Sequence, residues 1–195
     1  MSDQPRRHSP PEFFFGAMSP YSWFSAERID SLLPDAQWRP VYAGGLFRAN
    51  DRSSWGLGEA RQQGIAECQA RAAAYGLGTI RWPEPWPTND VTVARAMIFA
   101  EEAGLLKPFA LAAMRLAFLE GGDLGELGPV LRAGERVGIE ASRLEAAVAE
   151  PAVKEGLRAA HEHAMSLGVF GVPTVVVAGE VFWGDDRLDQ AAAAA

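Results

Sequence analysis

The 195-residue sequence contains a single cysteine, Cys68, and no long hydrophobic segment. One cysteine excludes an internal disulfide and is typical of a reducing compartment, so we expect a cytoplasmic protein. No apolar run approaches the roughly 20 residues that are needed to cross a bilayer. Residues 1–11 lack the apolar core of a secretion signal, and we expect them to form a disordered lead-in.

Clusters of basic residues and of metal-binding residues are also lacking. The chain carries 18 Lys and Arg against 25 Asp and Glu, a net charge of −7, and no basic run could follow a phosphate backbone. His161 and His163 are two residues apart on a predicted helix, so their side chains diverge and cannot share a metal ion. The sequence therefore predicts neither a nucleic-acid partner nor a metal site.

Strand character is present at both ends of the chain. Near the N-terminus the apolar run EFFFG is typical of a buried strand, and Ser19-Pro20 then provides a helix N-cap and a first helical residue. Near the C-terminus TVVVA and VFW flank a tight turn and predict a hairpin. In order, we predict a strand at 12–16, a helix to about Leu33, a strand at 37–42, a Gly-rich loop at 44–45, strands at 174–178 and 181–183, and a last helix.

Between these ends the composition becomes rich in Ala, Leu, Glu and Arg, which indicates helices. We predict helices near 59–75, 91–103, 108–120, 127–137, 142–149 and 153–167. Because this connection exceeds 100 residues, it should form a separate helical layer. The sequence therefore predicts an α/β core, 12–45 and 169–190, with a large all-α insertion, 46–168, between the second and third strands.

The segment Ser19-Pro20-Tyr21-Ser22 lies where the first strand gives way to a helix. In C-x-x-C enzymes a cysteine at such a helix start has a lowered pKa, whereas here the same frame carries two serine hydroxyls. A hydroxyl cannot exchange disulfides, but Ser19 can donate a hydrogen bond to the thiolate of another molecule. The alternative is that Ser19 serves only as an N-cap.

Two C-terminal segments are weaker candidates. Val172-Pro173 precedes a strand, and a cis bond there would turn the backbone of Val172 toward an extended peptide ligand; a proline that merely begins the strand is the alternative. Asp185 and Asp186 begin a helix and would ordinarily act as caps. Together with free N–H groups they could also hold the ammonium and carboxylate of an amino acid.

The motifs combine into a resemblance to one family. The sequence resembles the kappa-class glutathione transferase and 2-hydroxychromene-2-carboxylate isomerase family, a DsbA-related branch of the thioredoxin superfamily. The similar stretches cover nearly the whole chain in the right order: FFFGAMSPYSW, GGLFRAN, WPTND-VTVAR and GVFGVPTVVVAGEVFWGDDRL. The resemblance implies a thioredoxin-like fold and a site for glutathione. Because relatives are commonly dimers, the resemblance also suggests a homodimer, but it does not fix the oligomeric state.

The resemblance assigns roles to individual residues. It implies that Ser19 hydrogen-bonds the glutathione sulfur and that Val172, before a cis-Pro173, pairs with the cysteinyl part. It places Asp185 and Asp186 at the γ-glutamyl end. The other residues that it places at the site are Asn50, Trp82 and Trp86, and we add Tyr21 to the substrate cleft.

The loop after Asn50 departs from the pattern. Relatives often carry a Pro-Pro pair and then a lysine, whereas this chain has DRSSW, which leaves Arg61 as the nearest basic substitute. Further along, Gly64 and Cys68 stand where a tyrosine and an aspartate are common. The glutathione contact from this loop and the choice of substrate are therefore the least specified features.

The resemblance implies a glutathione-dependent enzyme that adds a thiolate reversibly to a small unsaturated acid or ketone, with an aromatic one favoured. Bond rotation followed by thiol release gives isomerisation, which we prefer because SPYSW, GVFGVPT and FWGDDRL are closer to the isomerase branch. Retention of the adduct would give a kappa-like transferase. A non-catalytic glutathione-binding module remains an alternative, whereas Ser19 and Ser22 argue against a disulfide oxidoreductase.

Overall fold

The computed structural model describes residues 9–195, so most of the predicted lead-in over residues 1–11 lies outside the described residues. The N-terminal part alternates strands and short helices, a long helical part follows, and a hairpin closes the chain. The elements are β1 Glu12–Phe15, α1 Pro20–Ala26, α2 Ile29–Leu32, β2 Gln37–Pro40, α3 Ala43–Ala49, a 3-10 turn Trp55–Leu57, α4 Arg61–Ala74, α5 Val91–Glu102, α6 Leu106–Glu120, α7 Leu127–Glu135, α8 Ala141–Ala149, α9 Pro151–Ser166, β3 Thr174–Val177, β4 Glu180–Trp183, a 3-10 turn Asp185–Arg187 and α10 Leu188–Ala194.

The four strands form one mixed sheet in the order β2-β1-β3-β4. β1 runs parallel to β2, with Phe13 opposite Trp38, and antiparallel to β3, with Phe13 opposite Val175. β3 and β4 form the predicted hairpin. Because β1 is central, its end places the segment that contains Ser19 beside the loop that enters β3.

Both faces of the sheet are covered. Phe13 and Phe15 point to one face, where they contact Trp38 and join the large core built with α1, α5 and α6. Phe14 points to the other face and packs in a smaller core with Leu46 of α3 and Ala164 of α9. This alternation is what a central strand requires when both of its faces are buried.

The α/β fold with a helical insertion between β2 and β3 is confirmed, and all six predicted helices of the insertion are present. Two local predictions were wrong. The helix predicted to run to Leu33 breaks at Arg28, whose guanidinium turns to the Asp185 carbonyl and the Tyr75 ring. The predicted loop at residues 44–45 lies instead within α3, which packs so closely on α9 that a Cβ on Gly45 would lie 3.0 Å from His161 Cε1.

The division into a core, 12–45 and 169–190, and an insertion, 46–168, stays a prediction. α3 crosses the predicted boundary at residue 45, and residues of both parts share the larger hydrophobic core. Within residues 9–195 we find no helix that is both long and apolar enough to span a membrane. The cytoplasmic location and the homodimer likewise stay predictions.

Candidate functional site

Ser19 stands at the turn between the central strand and α1. It is the N-cap of α1, and its Oγ accepts a hydrogen bond from the N–H of Ser22 at 3.2 Å. Its own N–H donates to the Gly16 carbonyl at 3.1 Å, which closes the turn after β1. Because the cap uses Oγ only as an acceptor, the hydroxyl hydrogen remains available to donate to another group.

The loop that enters β3 lies on the same cavity as Ser19. The Val172–Pro173 peptide bond is cis, and the Pro173 carbonyl accepts from the N–H of Gly184 at 2.9 Å. The backbone N–H and C=O of Val172 form no hydrogen bond with the part of the chain that the structure describes. These two groups can therefore pair with an extended ligand.

The cavity has a volume of about 990 Å³ and opens between the sheet end and the helical insertion. Its walls come from the turn before α1, from α3 and the following loop, from α4, from residues 86–90 and from residues 172–173 and 183–187. Ser19, Tyr21, Trp86, Val172, Pro173, Asp185 and Asp186 all line it. Seven of the ten predicted site residues therefore lie on one cavity.

Asp185 is fixed at one end of the cavity. It is buried, and its carboxylate accepts from Arg71 Nη1 at 2.7 Å and from the Tyr75 hydroxyl at 3.0 Å. Burial alone would lower the pKa of Arg71, but the bonded carboxylate raises it overall. Both oxygens of Asp185 are thus used within the protein, whereas Asp186 is exposed and forms no ion pair with the described residues.

Aromatic side chains form the opposite wall. Trp86 is buried, and its Nε1 donates to the carbonyl of Met18, the residue before Ser19, at 3.2 Å. The Trp55 ring lies 4.9 Å from the Trp86 ring between centroids and also contacts Tyr21 edge-on. These contacts hold an aromatic wall beside Ser19, the residue predicted to bind the thiol.

Three predicted residues do not line the cavity. Asn50 ends α3, and its amide donates back to the Leu46 carbonyl of the same helix. Arg61 donates to the Trp86 carbonyl at 3.2 Å, and Trp82 packs behind Trp86 with a centroid distance of 4.6 Å. Arg61 and Trp82 thus contact Trp86 of the wall, whereas the side chain of Asn50 bonds within its own helix.

Arg48 and Arg52 supply the basic groups on this side of the cavity. The guanidinium of Arg52 lies 4.6 Å from the centroid of the exposed Trp183 ring, so it bridges the loop after α3 and the end of β4. The basic residue of this loop on the cavity is thus Arg52, two positions after Asn50, and not the predicted Arg61, which is eleven positions after it. Sequence reasoning missed it because only the cation–π contact across the chain shows where the loop folds.

Cys68 is buried beside Tyr21 and does not supply a reactive thiol. Burial raises the pKa of its thiol to about 12, although the hydrogen bond with Tyr21 acts in the opposite direction. Burial and the neighbouring Cys68 also raise the pKa of Tyr21. At neutral pH both groups stay protonated, so Cys68 behaves as a small apolar residue of the core.

Asp90 lines the cavity close to the turn before α1. It is 4% exposed, and burial raises the pKa of its carboxyl to about 7, against the opposing effect of nearby backbone N–H groups. Sequence reasoning missed it because Thr88-Asn89-Asp90 is typical of a helix cap. Only the direction of the side chain, which the sequence does not carry, sets it apart.

Comparison with known proteins agrees with this arrangement. Residues 12–195 match the DSBA-like thioredoxin domain family. The chain belongs to that family. Among curated proteins it is similar to 2-hydroxychromene-2-carboxylate isomerase of Sphingobium xenophagum, with 26% identity over 91% of this chain and 93% of the relative. This similarity confirms the family resemblance seen in the motifs and supports an isomerase-like function.

Solved structures place this DSBA-like chain in the same fold. A 2-hydroxychromene-2-carboxylate isomerase superposes with a TM-score of 0.83 over 93% of this chain and 92% of that one, at 19% identity. A probable DsbA oxidoreductase from Streptomyces coelicolor gives 0.72 over 95% and 88%, at 20% identity. The cytosolic disulfide reductase DsbM of Pseudomonas aeruginosa, in a structure with GSH, gives 0.61 over 94% of each chain, at 15% identity.

Proposed function

We propose that this protein is a glutathione-dependent isomerase of small unsaturated acids or ketones. The observation that carries the proposal is the state of Ser19. Its Oγ accepts from the N–H of Ser22, so its hydroxyl hydrogen is free to donate to a group bound in the cavity, which Val172 with its unpaired backbone groups also lines. A hydroxyl donor next to free peptide groups suits a peptide that carries a thiolate.

The cavity has the size and the groups that glutathione needs. About 990 Å³ is ample for a tripeptide together with a small substrate. The N–H and C=O of Val172 can pair with the cysteinyl unit, and Arg48 and Arg52 are cations of the kind that bind carboxylates. Asp186, rather than the internally bonded Asp185, has its carboxylate available for the γ-glutamyl ammonium.

When bound, glutathione would supply a sulfur nucleophile that adds reversibly to an electrophilic carbon of the substrate. A free thiol of this type ionises near pH 8.5, so little thiolate is present at neutral pH. Lowering that pKa by one unit needs about 1.4 kcal/mol of preferential stabilisation of the anion. The Ser19 hydrogen bond can supply this, since bonds to charged groups contribute roughly 1.5–3 kcal/mol.

The substrate side is defined by the aromatic wall. Trp55 is partly exposed on the cavity and is backed by the buried Trp86, so this wall offers an aromatic face that favours an aromatic substrate over a purely aliphatic one. The name of the Sphingobium relative adds that its substrate is a carboxylate. An aromatic unsaturated acid is therefore the substrate class that we expect.

Isothermal titration with glutathione, followed by an absorbance assay with 2-hydroxychromene-2-carboxylate, tests the proposal. We expect binding, and interconversion that requires glutathione and falls sharply in Ser19→Ala. Binding without conversion of this probe would refute the isomerase and favour the binding module. Consumption of glutathione by 1-chloro-2,4-dinitrobenzene at a higher efficiency would favour the kappa-like transferase. No binding would refute the glutathione site itself.

A further inference from the structure

Asp90 is a buried carboxyl group on the cavity that the thiol site described above leaves unused. No side chain within residues 9–195 forms an ion pair with it. Aspartate is almost never fully buried unless it is paired, and the partners of Asp90 are backbone N–H groups rather than a cation. Its place on the cavity wall therefore calls for an account of its own.

The side chain of Asp90 does not cap α5, the helix that Asp90 precedes. It occupies the N-cap position of α5, yet its side chain forms no cap hydrogen bond, and the N–H of Val91 donates to Asn89 Oδ1 instead. Thr88 is also engaged elsewhere, by Asp123. The carboxyl of Asp90 is turned instead toward the start of α3, where the backbone N–H groups of Ala43 and Gly44 face it at the cavity wall.

Asp90 lies near both parts of the thiol site. A Cβ placed on Gly16 would be 3.6 Å from Asp90 Oδ2 and 3.6 Å from Val172 Cγ2. Gly16 is also the residue whose carbonyl accepts the N–H of Ser19. The carboxyl therefore borders the Ser19 turn and the Val172 loop, where a bound thiol and its substrate would meet.

Burial is the main cause of the shifted pKa of Asp90. Backbone N–H groups of Ala43 and Gly44 face it from α3, and Gly16 and Val172 are uncharged. His161 of α9 packs on Gly45, one residue further along α3, and no charged group contributes to the titration of Asp90. Burial raises its pKa to about 7, so both protonation states are populated at neutral pH.

We propose that Asp90 is the acid and base that moves the proton during the isomerisation, a role that rests on the proposed function. As the sulfur–carbon bond forms, the electron pair of the C=C bond shifts to the substrate carbonyl oxygen, which takes the proton from the Asp90 carboxyl. After rotation about the bond that has become single, the Asp90 carboxylate takes the proton back. The C=C bond re-forms, and the sulfur leaves with its electron pair.

The first test compares Asp90→Asn with the matched control Asp35→Asn, an exposed aspartate that does not line the cavity. With 2-hydroxychromene-2-carboxylate and glutathione, we expect kcat/KM to fall by about 100-fold or more in Asp90→Asn and to stay unchanged in the control. The decline of kcat/KM above pH 7 should disappear with Asp90, while the affinity for glutathione remains.

The second test needs no turnover. In protein labelled with carbon-13 at the aspartate carboxyls, one signal should titrate near pH 7 and be missing in Asp90→Asn. Titration below about pH 5 would overturn the role, as would full activity of the variant. If the parent protein does not bind glutathione, the proposed function itself is refuted. Asp90→Ser provides a second variant if Asp90→Asn does not fold, as judged by near-ultraviolet circular dichroism.

Discussion

Replacing Asp90 with asparagine should change how the stability of the protein depends on pH. The carboxyl has an ordinary pKa of 3.8, and burial raises it to about 7 in the folded protein. Between these values the folded protein keeps a proton that the unfolded chain has lost, so the free energy of unfolding falls as the pH rises. Each pKa unit corresponds to about 1.4 kcal/mol, which gives a total of about 4 kcal/mol.

Most of this loss falls in a range that is easy to measure. Between pH 5 and pH 8 the parent protein should lose about 2–3 kcal/mol through Asp90 alone, and Asp90→Asn should be spared that loss. Urea unfolding followed by tryptophan fluorescence measures it, with Asp35→Asn as the control that should parallel the parent. Parallel curves for Asp90→Asn and the parent would refute the raised pKa of a buried carboxyl without a cationic partner, on which the reasoning depends.

Three further experiments test the packing and the charges around the cavity. Gly64→Ala would place a Cβ 2.3 Å from the Trp55 ring and should cost about 1–3 kcal/mol in urea unfolding. Gly58→Ala, whose Cβ would meet only the Trp55 carbonyl at 4.0 Å, should not, and equal effects would contradict this packing. Arg71→Met would leave a buried carboxylate without its cation and should cost about 2–3 kcal/mol, and a loss below about 0.5 kcal/mol would show that the pair is not needed. At pH 8 Cys68 should react with a disulfide reagent only after unfolding, and rapid labelling of the folded protein would contradict its raised pKa.

The sequence predicts the parts of the fold and site that are encoded locally. The apolar run before Ser19, the serine-proline helix start and the paired C-terminal strands each depend on neighbouring residues. They recur in the structure as β1, the N-cap of α1 and the β3–β4 hairpin. Ser19, Val172 and Asp186 reach the cavity because short turns of known geometry connect them to these elements.

The remaining features depend on contacts between distant parts of the chain. The pair of Arg71 and Asp185 joins residues 114 apart in sequence, so neither position indicates the other. Arg28 interrupts the first helix, and its partners lie near the C-terminus and at Tyr75, just after α4. Arg52, rather than Arg61, faces the cavity because its loop is held by Trp183. Such contacts are set by packing rather than by local propensity.

The central claim is that the Ser19 hydroxyl stabilises the thiolate of bound glutathione. The most direct measurement is the ultraviolet absorbance of the thiolate as glutathione bound to the protein is titrated with base. Cys68 does not interfere below about pH 10, because burial raises its pKa to about 12. We predict that the bound thiol ionises about one pKa unit or more below free glutathione, and that Ser19→Ala reverses this shift. A bound thiol that titrates like free glutathione in the parent protein would contradict the account.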